Sequence, residues 1–93
     1  MNLSDEELQQ IEEFASIALP LSDIAVILQV DPEELRAAYS EQSNAVRKRY
    51  CAGSLRLKAE LHKSIKESAL QGSNPAQQLM QKFLDEIKNT QDE

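Results

Sequence analysis

The sequence has no tryptophan, one cysteine, one histidine, two glycines and three prolines among its 93 residues. Each shortage excludes something. With only Phe14, Tyr39, Tyr50 and Phe83 as aromatics, a core has to be built mostly from Leu, Ile, Val and Ala. Cys51 stands alone, which excludes an intramolecular disulfide and argues against a secreted disulfide scaffold. With His62 as the sole histidine, neither a metal cluster nor a Cys/His nucleophile pair forms within one chain. There is no Walker-type loop and no glycine-rich phosphate cradle. Carboxylates are plentiful, but they fall on helix starts and exposed faces, where capping and solubility account for them. The sequence therefore predicts no enzyme, no cofactor and no metal. No apolar run approaches about 18 residues, and the opening MNLSDEEL is acidic where a signal peptide would be basic. A soluble, cytosolic protein without a membrane partner is expected.

What the sequence does have is helix formers. Leu, Glu, Gln, Lys and Ala dominate, so an all-α chain is expected. The longest element reads from Asn44 to Gln71. Val46, Tyr50, Gly53, Leu57, Leu61, Ile65 and Ala69 recur there at steps of three and four, which makes one apolar stripe. About 27 helical residues at about 1.5 Å each span about 40 Å. A stripe that long seeks a partner helix from its own chain or from another subunit. Gly53 costs about 1 kcal/mol relative to alanine inside a helix. Its presence predicts either a close approach of another backbone or a kink.

Charge is divided along the chain. Residues 1–43 hold ten carboxylates against Arg36 alone, a net of −9, whereas residues 44–93 carry a net of +3. Between positions 44 and 66, Arg47, Lys48, Arg49, Arg56, Lys58, Lys63 and Lys66 face only Glu60. Such a run is either a solvated helix flank or a surface for a polyanion. The boundary near residue 43 separates an acidic head from a basic long helix and its C-terminal partner.

Local signals place the remaining elements. Ser4 and Glu7 form a capping box with Leu3 and Leu8 at staple positions, opening a first helix from Asp5 to about Ala18. Leu19-Pro20 breaks it. Ser22 is expected to cap a second helix through Leu28, with Ile24, Ala25, Ile27 and Leu28 nearly all buried. Asp31-Pro32 then starts a third helix to about Tyr39, with Leu35, Ala38 and Tyr39 facing inward. Short helix, three-residue turn and short helix read as a helix-turn-helix. An ordinary three-helix bundle gives the same pattern. The third helix exposes Glu33, Glu34, Arg36, Ala37 and Ser40, of which only Arg36 suits a guanine edge or a phosphate. Ser43 or Asn44 caps the long fourth helix. Gly72 stops that helix, and Asn74-Pro75 restarts the chain as cap and first residue of a fifth. Leu79, Met80, Phe83, Leu84 and Ile87 give this helix an apolar face to about Asn89, and the tail NTQDE is expected to fray. The short GSNP linker makes helices four and five antiparallel neighbours, an αα-hairpin.

The stretch YCAGSLRLKAELHKSIKESALQGSNPAQQLM, residues 50–80, resembles the phage terminase small subunits. The likeness rests on a glycine-bearing basic helix (Gly53, Arg56, Lys58), a Lys63-Ser64 step, an Ala69-Leu70-Gln71-Gly72 stop and an Asn74-Pro75-Ala76 restart. The helix-turn-helix of Ser22 to Tyr39 sits where such families place theirs. The resemblance implies a homo-oligomeric ring in the cytoplasm of a bacterial host, built on the helical hairpins through Tyr50, Gly53, Leu57, Leu61, Ile65, Leu79 and Phe83. It also implies double-stranded viral DNA and a large terminase subunit, which carries the ATPase and nuclease, as partners. The acidic third helix departs from the family pattern. That departure moves the expected phosphate contacts from Arg36 toward Arg47, Lys48, Arg49, Arg56 and Lys58. Two readings stand beside this one: a dimeric helix-turn-helix transcriptional regulator, and a helical module that binds only proteins.

Overall fold

Ser4 opens the first helix through its predicted capping box: its hydroxyl accepts from the Glu7 amide at 3.1 Å, and the Glu7 carboxylate accepts from the Ser4 amide at 3.0 Å. In the computed structural model, which describes residues 1–91, this helix is α1, Asp5–Ala15. It is followed by α2 (Leu21–Leu28), α3 (Pro32–Ser40), α4 (Ala45–Leu70) and α5 (Asn74–Gln91), with no strand among the described residues. The protein is all-α, with a long helix and a partner helix. The chain divides into two compact units, Met1–Lys58 and Ala59 onward.

The first unit holds the three-helix bundle and the first half of α4. Ile11, Ile24, Ala25, Leu35, Ala38 and Val46 are buried together, one contribution or more from each of its four helices. α2 packs on both α1 and α3. Ala25 is fully buried at the level of Ile24 and Leu35, where a small side chain lets helices approach. Asp31 caps α3 by accepting from the Glu33 amide at 2.9 Å, with Pro32 at the first helical position. The three residues Gln29–Asp31 between α2 and α3 complete the helix-turn-helix.

Several boundaries differ from the sequence expectation. α1 ends at Ala15 rather than Ala18, because residues 16–18 form a turn in which Ala18 takes φ +68°. The Ala18 amide donates to the Ala15 carbonyl and the Leu19 amide to Phe14, a Schellman closure achieved without glycine. Gln29, at φ +59°, ends α2 the same way, with Val30 donating to Ala25. Ser22 does not cap α2. Pro20 takes that position in extended geometry, and its carbonyl accepts from Asp23 and Ile24, while no side chain caps the helix. Ile27 is exposed and Leu28 only half-buried, because Ile24 and Ala25 already occupy the inward face of so short a helix.

Asn44 caps α4 by accepting from the Val46 amide at 2.9 Å. The close backbone approach expected at Gly53 is present and belongs to α1. A Cβ on Gly53 would collide with the Glu12 carbonyl oxygen and lie 2.9 Å from the Ala15 Cβ. Val46, Tyr50 and Gly53 therefore join the bundle, which is why the first unit extends to Lys58, beyond the acidic head read as residues 1–43.

In the second unit, the rest of α4 turns back through Gly72 (φ +101°) into α5. Its helix start is shifted by one residue: Ser73, not Asn74, is the cap, its hydroxyl accepting from the Ala76 amide at 3.3 Å. His62 stacks face to face on Phe83 at 3.8 Å, and the Gln77 side-chain amide donates to the Ala69 carbonyl at 3.0 Å. These contacts tie the αα-hairpin. α5 continues past Asn89 to Gln91, with Thr90 donating to the Glu86 carbonyl. The rest of the tail expected to fray, Asp92 and Glu93, lies outside the described residues.

Candidate nucleic-acid interface

The basic residues singled out for phosphate contact fall into three environments. Arg36 is exposed on α3, one turn beyond Glu33 and Glu34 in a helix whose first turn is acidic. Those carboxylates suit the positive end of the helix dipole, and they repel a phosphate backbone.

Arg47, Arg49 and Arg56 are held by the fold. The Arg47 guanidinium donates to the Tyr39 carbonyl at 3.3 Å and lies over the Tyr39 ring, 5.1 Å from its centre. Tyr39 meets Tyr50 edge to face at 5.5 Å, and the Tyr50 hydroxyl donates to the Leu19 carbonyl at 3.2 Å. The neighbouring Cys51 thiol pushes the Tyr39 phenol above its ordinary value. Arg56 and Arg49 both reach the Glu12 carboxylate of α1, Arg56 through Oε2 and Arg49 at 3.4 Å through Oε1. The Arg56 hydrogen bond, with Arg49 assisting, holds the Glu12 carboxyl below its usual range despite partial burial. No sequence signal joins Glu12 to these arginines, since 37 and 44 residues separate them.

Lys48 and Lys58 are exposed and, among the described residues, take part in no ion pair. Further along α4, within the second unit, Lys63 and Lys66 are likewise exposed. They belong to the same basic run but not to the set first expected to meet phosphate. The cations best placed for a polyanion are thus lysines rather than arginines.

The residues expected at an oligomer interface are also distributed. Tyr50 and Gly53 pack within the first unit, and Leu57 is half-buried. In the second unit Ile65 and Phe83 are half-buried, whereas Leu61 and Leu79 are exposed. No group of three or more His, Cys, Asp or Glu side chains able to hold a metal occurs among the described residues. Among the described residues, no helix is long and apolar enough to cross a membrane. No protein-family model, curated protein or solved structure matches the chain.

Proposed function

We propose that the chain is a non-catalytic DNA-packaging component of the terminase small subunit kind. It assembles through its αα-hairpin, binds double-stranded DNA through the basic residues of α4, and passes DNA to a large terminase subunit in the host cytoplasm. The observation that carries this reading is the state of the hairpin. Ala76 is the only buried residue on α5, while Leu61, Leu70, Leu79, Leu84 and Ile87 are all exposed. At about 100° per residue, the apolar arc of α5 from Leu79 to Leu84 spans about 140°, wider than one neighbouring helix covers. Exposed apolar surface of this kind supports association between copies. Exposed lysines on α4 support a polyanion partner, whose affinity many weakly binding copies would raise through multivalency.

The acidic first turn of α3 weighs against the transcriptional-regulator reading, because that helix would have to enter the major groove. Native mass spectrometry of the purified chain tests the proposal. A closed assembly of many identical subunits is expected, its subunit number lowered by Leu84→Lys with Ile87→Lys. A monomeric or dimeric parent chain would sink it.

A further inference from the structure

The first unit leaves Met1, Ile17, Val26, Ile27 and Leu55 exposed, and among these the α2 pair and Leu55 of α4 differ in the charge near them. On α2, Val26 is 71% exposed and Ile27 49% exposed, although both are large and β-branched. They stand one turn before the Gln29–Asp31 connection, beyond which Glu33 and Glu34 are exposed on the first turn of α3. On α4, Leu55 is 62% exposed. It sits in a line of exposed residues, Lys48, Ala52, Leu55 and Lys58, at steps of four, three and three. This line lies on the side of α4 turned away from Gly53, whose face meets α1. The first apolar pair is thus followed, across the short Gln29–Asp31 connection, by two exposed carboxylates, and the second is flanked along α4 by two exposed ammonium groups.

Nothing in the first unit's own core accounts for Val26, Ile27 or Leu55. The bundle is completed by Ile24, Ala25, Leu35 and Val46, and among the described residues neither lysine is ion-paired. We infer that the Val26/Ile27/Glu33/Glu34 surface of one copy docks on the Lys48/Ala52/Leu55/Lys58 line of a second copy of this chain. The apolar side chains supply the contact area, and the charges supply orientation and reject the reverse pairing. Because the two patches are different surfaces, each copy can offer one to each of two neighbours, an arrangement that closes into a ring or runs on. The acidic character of the helix-turn-helix then has a purpose other than reading DNA. This contact is separate from the hairpin contact proposed above and does not depend on it.

Zero-length carbodiimide cross-linking of the full chain without DNA provides the test, using an equimolar mixture of unlabelled and ¹⁵N-labelled protein. Amide cross-links from Glu33 or Glu34 to Lys48 or Lys58 that combine one labelled and one unlabelled peptide are expected, and they should disappear in high salt. Glu33→Lys with Glu34→Lys should lower association at this face by more than about tenfold, as should Lys48→Glu with Lys58→Glu. Mixing the two charge-reversed proteins should restore association, since the lysine head of one then faces the glutamate helix of the other. Restoration also excludes misfolding as the cause of the losses. Oligomers that form without mixed-label cross-links between these residues would overturn the docking surface and leave the hairpin reading intact. A chain monomeric at every concentration tested would overturn both.

Discussion

Gly53 of α4 lies directly against the backbone carbonyl of Glu12 on α1, so close that no side chain fits between them. Gly53→Ala should therefore destabilise the first unit by about 1–3 kcal/mol, even though alanine improves helix propensity by about 1 kcal/mol. Neighbouring Ala52 is exposed, so Ala52→Gly should cost only the propensity term of about 1 kcal/mol. Urea unfolding followed by circular dichroism compares them. A stabilised Gly53→Ala protein would show that the two helices do not meet this way.

The same Glu12 gives the head a dependence on acid. Its carboxyl titrates below the ordinary value of 4.5, chiefly because Arg56 donates to it. A lowered folded-state value stabilises the fold fully above the unfolded-state value and is lost as the pH falls through the lowered one. Glu12→Gln should melt below the parent at pH 7, and the gap should close as the pH drops below 4.5. A gap that persists unchanged at pH 2 would rule out the ion pairs as its source.

Two helix ends use left-handed residues that are not glycine. Ala18 and Gln29 hold φ +68° and +59°, and both are exposed. Replacing either with glycine should stabilise the protein by about 0.5–1 kcal/mol, the relief of strain exceeding the added flexibility of the unfolded chain. Thermal melts of the single and double variants should rise stepwise, because the sites belong to different turns. Lower melting temperatures would contradict the Schellman closures.

DNA affinity should fall steeply with salt, and exposed lysines should set the slope. Lys63→Ala and Lys66→Ala should each lower the slope of log K against log salt by about one where the residue meets a phosphate. Arg49→Ala and Arg56→Ala should instead act mainly on stability, since both arginines are engaged with Glu12. Fluorescence anisotropy with duplex DNA at several salt concentrations separates the two behaviours. A Lys63→Ala, Lys66→Ala double variant with an unchanged slope would remove this stretch of α4 as the DNA surface.

Much of the fold was legible because its signals are local. The Ser4/Glu7 box, Asp31-Pro32 and Asn44 each act within three residues, and each forms as read. Gly53 announced either a close backbone or a kink, and the Glu12 carbonyl of α1 supplies the close backbone. What was hidden depended on distant partners. Glu12 became the anchor for Arg49 and Arg56 only when α1 lay against α4, so those arginines looked free in the sequence. Ile27 looked buried because hydropathy does not reveal that a two-turn helix has only one inward face. The end of α1 was misplaced because Ala18 adopts a geometry that glycine normally signals.

The Gly53 contact also acts as a lock against sliding. Were α4 to slip by one turn along α1 in either direction, Arg49 or Leu57 would arrive where Gly53 sits, and neither has room there. Only one alignment of the two helices is open, and its key lies ten residues beyond the apparent end of the acidic head. A fragment cut at residue 43 would keep all three short helices and lose the part that fixes α1 in place. The head therefore borrows its last structural member from the helix that follows it.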